Sequence, residues 1–324
     1  MKARHMRTVL GSGLALLALT AAAACGSTAE ADPEVETRTV IDATGTEVEV
    51  PADPRRVVTL HYAATQPVLD LGVTPVGQGT FEEGIVPEDI EAEVEAVPVV
   101  TDGIEPRLEE IAGLDPDLIL APNVYEDDVL EQLRAVTAVY TFTLRGGDRA
   151  EWTQRTEEVA DALNRTGMVA ELEEAFQARQ SEIAEEYADV IAGKSVAVIG
   201  AYEENNFYAW GEENMTGTLL LPLGFTWSEQ ENAIVEGQDE PEATVSNEKL
   251  ATAVSDADVL FIDSDLRGEV NAFMAALQGT ALYQELPAVQ AGRAYTAGKN
   301  TVAGYTDAHY TLDMVELALR DMRG

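Results

Sequence analysis

Short apolar runs alternate with amphipathic stretches along most of the chain. In the first half, the runs predict strands at 56–60, 75–79, 97–100, 117–121 and 139–143, with helices at 64–71 and 127–135. Apolar runs of this length, bounded by Gly, Pro and Asp and separated by helices, are typical of parallel strands buried on both faces. Ahead of them, residues 40–51 have the pattern of a hairpin with a glycine turn.

A long helical segment divides this pattern from a second one. Apolar residues three and four apart, beginning with Val169, Leu172 and Phe176, predict an amphipathic helix over 169–191. Gly167 separates it from a helix at 152–163, and Gly193 ends it. Strands then follow at 195–200, 259–263 and 293–296, and helices at 216–223, 249–254 and 309–322. The predicted fold is α/β, with two Rossmann-like lobes containing parallel sheets and joined by one long α-helix.

The first 25 residues have the character of an export signal. Three basic residues precede a continuous run of apolar and small residues over 11–24, which is too short to span a bilayer. Residues 19–25 resemble a bacterial lipobox, with Ala22 where Leu is usual, and they end at Cys25, the single cysteine. The resemblance implies an exported protein, anchored to the outer face of the cell membrane by lipidated Cys25. An ordinary signal peptide is the alternative.

These patterns predict a domain organisation. The predicted segments are a signal peptide at 1–24, a lipid-anchored flexible tether at 25–37, an N-terminal lobe at 38–165, a backbone helix at 166–192 and a C-terminal lobe at 193–324.

The charge balance excludes some partners. The net charge is −39 with only four lysines, so nucleic acid is not an expected partner, because it is bound by basic surfaces. A salt-tolerant or high-GC organism would explain the same acidity.

Signatures of catalysis are missing from the sequence. It contains no Gly-x-Ser-x-Gly, no P-loop and no Gly-x-Gly-x-x-Gly after a strand. After the predicted signal, His61 and His309 are the remaining histidines, which is few for a zinc or manganese site. We therefore expect no catalytic residues, no metal site and no resident cofactor.

Five short sequence segments occur in the same order as in one protein family. They are 40–58, 69–77, 106–120, 245–250 and 286–295. Together they resemble the substrate-binding lipoproteins of iron-siderophore and cobalamin ABC importers, the helical-backbone class of periplasmic binding protein. The resemblance implies a monomeric receptor that holds a small-molecule iron chelate in a cleft between its lobes. It also implies an ABC permease as the partner that receives this cargo.

The loops that follow the strands are the expected site, because ligands of α/β lobes bind beyond the carboxyl ends of parallel strands. Aromatic faces with a few polar groups suit a bulky chelate. The candidate ligand-binding residues are His61, Tyr62, Phe81, Asn123, Tyr125, Tyr202, Tyr208, Trp210, Trp227, Arg267, Lys299 and Tyr305.

Glu109 and Glu248 match positions that related receptors use to dock onto permease arginines, so the resemblance implies this role here. The alternative is that each is a solvated acid at the start of a helix. Ser246 is a candidate N-cap of the helix that contains Glu248. Because few bases are available to the cleft, a neutral or cationic hydroxamate complex is favoured over a ferric tris-catecholate.

Three other functions stay open. The same fold could hold haem, with His61 or Tyr62 as axial ligand, or cobalamin or another metal chelate. A surface enzyme and an adhesive lipoprotein are the remaining alternatives.

Overall fold

The computed structural model describes residues 36–148 and 150–324, which form two α/β lobes joined by a long helix. The predicted signal peptide, Cys25 and all but the end of the predicted tether lie outside the described residues. Among those described, no helix combines the length and the apolar character that crossing a bilayer requires.

The elements alternate along the chain as the hydrophobic pattern predicts. The strands are β1 (Thr37–Ile41), β2 (Glu47–Pro51), β3 (Val57–Thr59), β4 (Thr101–Asp102), β5 (Glu105–Pro106), β6 (Leu118–Pro122), β7 (Ala138–Phe142), β8 (Ser195–Gly200), β9 (Asn206–Trp210), β10 (Thr226–Trp227), β11 (Glu242–Ser246), β12 (Val259–Ile262) and β13 (Ala294–Thr296). The helices are α1 (Tyr62–Asp70), α2 (Glu88–Glu95), α3 (Leu108–Gly113), α4 (Asp127–Arg134), α5 (Thr153–Ala162), α6 (Thr166–Glu186), α7 (Ala188–Ile191), α8 (Met215–Leu220), α9 (Glu229–Val235), α10 (Leu250–Val254), α11 (Ala272–Gln278), α12 (Ala281–Gln284), α13 (Pro287–Gln290) and α14 (Tyr305–Arg323), with 3₁₀ turns at Leu221–Leu223 and Asn247–Lys249.

The N-terminal lobe contains a parallel sheet in the order β3-β6-β7. The strands predicted at 75–79 and 97–100 occupy its other edge, but they pair only through single bridges, Val58 with Gly77 and Gln78 with Val99. Pro75 and Pro98 have no N–H to donate, which limits a regular ladder there. The predicted hairpin is confirmed as β1 and β2, with Gly45 in the left-handed region at φ 79°.

The joining helix differs from its prediction at both ends: α6 starts at Thr166 and stops at Glu186, and the rest of the predicted segment forms the separate helix α7. Asn164 lies in the left-handed region at φ 58°, and the break between α5 and α6 falls there. Gly167 is the second residue of α6, so it does not separate the two helices as predicted. Phe176 and Ile183 of α6 pack into the core of the C-terminal lobe.

The C-terminal lobe contains a mixed sheet in the order β11-β9-β8-β12-β13, with β10 also pairing with β8. Residues 206–210, predicted as part of a loop, form β9, and β9 runs antiparallel to β8. The sheet of this lobe is therefore mixed: the predicted parallel strands form part of it, and β9 and β11 add antiparallel pairs. Side chains in β9 alternate, so Phe207 and Ala209 enter one apolar layer while Tyr208 and Trp210 face the other.

A buried carboxylate lies in the gap where β9 and β10 diverge along one edge of β8. One edge of β8 pairs with β10 at Ser195 and Val196 and with β9 at Ile199 and Gly200. Between these strands, Glu231 of α9 accepts the backbone N–H of Val198 at 3.1 Å and that of Trp210 at 3.1 Å. Its side chain therefore replaces a missing strand partner.

Several contacts tie the lobes together, and two of them involve backbone N–H groups. Asp70, at the end of α1, accepts the backbone N–H of Tyr305 at 2.7 Å and the hydroxyl of Thr306 at 2.6 Å, so it caps α14 of the other lobe. At a second point, the backbone N–H of Leu266 donates to the carbonyl of Gly84 at 2.8 Å. Both are short hydrogen bonds between segments far apart in the chain, so they limit how freely the lobes move.

Candidate functional site

Two neighbouring cavities lie at the carboxyl ends of the strands. One has a volume of about 300 Å³ and the other about 440 Å³. Both are lined by Tyr202, Asp263 and Lys299, which follow β8, β12 and β13 in the chain. The N-terminal lobe adds Arg145 to the first wall and Tyr62 to the second. The cavities therefore lie between the lobes, where the strand order predicts a ligand site.

Aromatic side chains form part of the smaller cavity. The rings of Tyr202 and Tyr208 meet edge to face with centroids 5.0 Å apart, and Tyr202 is 38% exposed. Trp210 also lines this wall, but it is only 2% exposed and belongs mainly to the core. The two tyrosines are thus the aromatic faces most available to a ligand.

Tyr62 and His61 occupy the start of α1. The hydroxyl groups of Tyr62 and Thr301 share a hydrogen bond of 3.1 Å across the lobes. His61 is the N-cap, and its Nδ1 accepts the backbone N–H of Ala63 at 3.1 Å. Burial, helped by the nearby charges of Arg155 and Arg145, lowers the pKa of His61 to about 4. His61 is therefore a neutral capping residue in this structure.

Lys299 is engaged by both lobes. Its Nζ lies 2.9 Å from the carboxylate of buried Asp307 and donates to the carbonyl of Ile85 at 2.9 Å. It also lies 5.6 Å from the centre of the Tyr62 ring. Much of its charge is consequently neutralised before any ligand arrives.

Asp263 is the titratable group at the centre of the site. It accepts the backbone N–H of Asn300 at 2.8 Å and interacts with the hydroxyl of Tyr202. Burial raises the pKa of Asp263 to about 6, although these hydrogen bonds and the charge of Lys299 act in the opposite direction. Burial and the Asp263 carboxylate also raise the pKa of Tyr202.

The loop bearing Arg145 is fixed by Asn123. The Asn123 side chain accepts the backbone N–H groups of Leu144 and Arg145 at 2.9 and 3.0 Å, and it donates to the Arg145 carbonyl at 2.8 Å. Asn123 thus positions the loop of a cavity residue and is itself hydrogen-bonded to backbone.

Several candidate residues lie away from both cavity walls. Tyr125 donates to the carbonyl of Ile104 at 2.6 Å, and half-buried Phe81 lines neither wall in the described part of the chain. Arg267 instead pairs with Glu91 and, at 3.3 Å, with Glu83. It joins the lobes beside the cavities.

Trp227 and Tyr305 were expected in the cleft but are core residues. Trp227 is 5% exposed and pairs with Val196, near the end of β8 that is remote from the cleft. Tyr305 is 2% exposed, and its ring packs 5.0 Å from that of Trp152. Large aromatic side chains placed after a predicted strand fill the core as readily as they line a cleft.

Glu109 lies in the N-terminal lobe and Glu248 in the C-terminal lobe. Both are exposed, one in the first turn of α3 and the other in the 3₁₀ turn before α10. Ser246 precedes that turn but makes no side-chain capping bond, so the expected cap is wrong. Docking by these carboxylates remains a prediction.

The sequence interpretation missed Asp263, Glu242 and Thr301, which line the cavities. The available signal for Asp263 was its position as the last residue of an apolar strand pattern, 259–263. Within the described residues, no group of three or more His, Cys, Asp or Glu side chains is arranged to hold a metal ion.

Comparison with known proteins identifies relatives along most of the chain. A family model described as "Periplasmic binding protein" matches residues 57–301. A probable siderophore-binding lipoprotein of Bacillus subtilis (strain 168) is 29% identical over 315 residues, which cover 93% of this chain and 94% of that protein. A Fe(3+)-citrate-binding protein of the same organism is 26% identical over 272 residues, covering 82% and 80%.

A solved structure has the same fold. It is the siderophore periplasmic binding protein from the fuscachelin gene cluster of Thermobifida fusca, with a TM-score of 0.71 and 27% sequence identity. The match covers 84% of this chain and 98% of that one. The predicted pair of α/β lobes joined by a long helix is confirmed by this likeness.

Proposed function

The chain belongs to the periplasmic binding protein family, and from this we propose that it is an extracytoplasmic receptor for a ferric siderophore. The receptor holds the chelate between its lobes and delivers it to an ABC importer. The observation that carries the proposal is the pair of cavities between the lobes, walled by tyrosines at the carboxyl ends of the strands. The relatives named as siderophore-binding proteins support the choice of ligand.

The proposed mechanism contains no covalent step. The chelate enters the cleft, the tyrosine faces pack against it, and limited movement of the lobes encloses it. A hydroxamate complex is favoured, because few positive charges face the cavities. Binding of haem is not favoured, because His61 caps α1 and Tyr62 is hydrogen-bonded to Thr301.

A fluorescence titration tests ligand binding. A panel of ferric chelates should quench the tryptophan fluorescence, because Trp210 lines the cavity. Trp210→Phe should lose most of this quenching, whereas Trp227→Phe, altered in the core, should keep it. If no ferric chelate quenches the protein or stays bound in native mass spectrometry, the proposal is wrong. If haemin alone binds, as detected by a Soret band, haem is the ligand instead of a siderophore.

We further propose that Glu109 and Glu248 dock onto arginines of the permease. Both carboxylates are exposed, and each lies at the start of a helical segment. Carboxylate–guanidinium pairs are directional and charge-assisted, which suits reversible docking.

Charge reversal separates docking from ligand binding. Glu109→Arg and Glu248→Arg should reduce cellular uptake of the chelate while leaving its affinity unchanged, because neither residue lines a cavity among those described. Glu171→Arg, on the exposed side of α6, is the matched control. Uptake at the normal rate in the double variant would contradict the docking role.

Attachment to the membrane is the remaining part of the proposal. Lipidation of Cys25 would keep a monomeric receptor close to its permease and raise its effective concentration there. Mass spectrometry of the mature protein should find a lipid on Cys25. In Cys25→Ser, the protein should leave the membrane fraction, and retention there would refute the anchor.

A further inference from the structure

The charges around the two cavities are strongly one-sided. Their walls contain six carboxylates, contributed by Glu82, Glu83, Glu242, Asp263, Asp265 and Glu269. The basic side chains in the same walls are those of Arg145 and Lys299. Glu83 pairs with Arg267 at 3.3 Å, and Lys299 is shared with Asp307 at 2.9 Å. A cleft lined by one sign of charge concentrates ligands of the opposite sign.

Asp263 is the carboxylate common to both cavities. It accepts one backbone N–H from Asn300 and interacts with the Tyr202 hydroxyl, and a carboxylate has about four acceptor positions. It therefore retains capacity for a donor from a ligand. Lys299, whose charge acts on Asp263, is already bonded to a second carboxylate and to a carbonyl oxygen.

The aromatic walls suit the same kind of ligand. The ring of Tyr202 is exposed beside Asp263, and that of Tyr208 lies 5.0 Å from it. Aromatic faces attract cations through the quadrupole of the ring. An ammonium group placed here would meet a carboxylate and two electron-rich rings together.

We propose, on the basis of the receptor function above, that the site selects ferric chelates bearing a positively charged pendant group, and that Asp263 receives that group. Arg145, on the opposite lobe, then faces the oxygen-rich coordination shell of the chelate. Anionic complexes meet net repulsion, because the acids of the walls outnumber the bases.

A matched pair of ligands tests the charge alone. Ferrioxamine B carries a pendant ammonium, and its N-acetylated form has the same iron coordination without this charge. We expect ferrioxamine B to bind about tenfold or more tightly, since a hydrogen bond between charged groups distinguishes ligands on this scale. Ferric citrate and a ferric tris-catecholate, both anionic, should bind more weakly than either.

Variants of the full-length protein test whether Asp263 causes the preference for ferrioxamine B over its N-acetylated form. Asp263→Asn keeps an oxygen that can accept the Asn300 N–H, and it should reduce the preference to about threefold or less. Glu269→Gln, exposed on the same wall, should reduce it in part and provides a second test if Asp263→Asn folds poorly. Glu285→Gln makes the same charge change away from both walls and should leave the preference unaltered.

The possible outcomes separate this inference from the receptor function. Equal affinity for the two ferrioxamines, or tightest binding of an anionic chelate, overturns the charge selection and leaves the receptor function standing. A preference that survives in both Asp263→Asn and Glu269→Gln also overturns it. If no ferric chelate binds, the receptor function is wrong and this inference is wrong with it.

Discussion

Glu231→Gln should remove a pH-dependent loss of stability. Glu231 is fully buried, and burial raises its pKa well above the ordinary value, although two backbone N–H groups donate to it. A carboxyl group whose pKa is raised by folding stabilises the protein below its unfolded pKa. That contribution is lost as the pH rises towards the folded pKa. Glutamine keeps a side-chain oxygen that can accept these N–H groups, and it cannot ionise.

The magnitude follows from proton linkage. Above a pH of about 4.5, the free energy of unfolding of the wild type should fall relative to Glu231→Gln by up to about 1.4 kcal/mol per pH unit. The variant should therefore match the wild type near pH 4.5 and exceed it at pH 7. Glu231→Leu, which leaves the N–H groups of Val198 and Trp210 without an acceptor, should cost about 2–6 kcal/mol.

Urea unfolding of the three proteins between pH 4.5 and 7.5 measures these differences. Taking the difference between wild type and Glu231→Gln cancels the titration of the other acidic groups. A difference that stays constant across this pH range would refute the reasoning, because it would mean that Glu231 has the same pKa in the folded and unfolded states.

Three further predictions concern the joints between the lobes and the cleft. Asp70→Ala removes the cap of α14 and should lower stability by about 1–2 kcal/mol in thermal unfolding, with exposed Asp102→Ala as an unaffected control. The affinity for a cationic chelate should decrease as the pH falls below about 6, since the pKa of Asp263 is about 6 and protonation removes its charge. Binding titrations at pH 7.5 and pH 5 measure this change, and equal affinities at the two pH values would mean that Asp263 is not involved. Gly84→Ala should lower the melting temperature, because Gly84 has φ 76° and a Cβ there would collide with Asp265. An unchanged melting temperature would contradict the tight packing of the loop that contains Gly84.

The hydrophobic pattern predicted most of the elements because their apolar runs are buried. The runs at 117–121 and 195–200 became β6 and β8, whose side chains lie almost entirely in the core. The pattern failed at residues 206–210, where an aromatic and polar composition resembled a loop. Pairing with β8 and β11 decided the structure of that segment, and pairing partners are not encoded in local composition.

The site was predicted in outline but not residue by residue. Tyr62, Tyr202, Tyr208 and Lys299 line the cavities as expected from the position of each after or near a strand end. Trp227 could not be distinguished in the same way, because composition does not reveal which end of the sheet a short strand occupies. The contribution of Asp263 was also hidden in an acidic sequence, where only the fold singles out one carboxylate.

The cap that Asp70 supplies to α14 has a consequence for dissecting the protein. The donor groups lie on the last helix of the chain, whereas the acceptor comes from a segment more than two hundred residues earlier. A fragment beginning after the linking helix would expose these donors at the head of its final helix. Separate expression would therefore cost the C-terminal half this cap, and adding the N-terminal half should raise its stability.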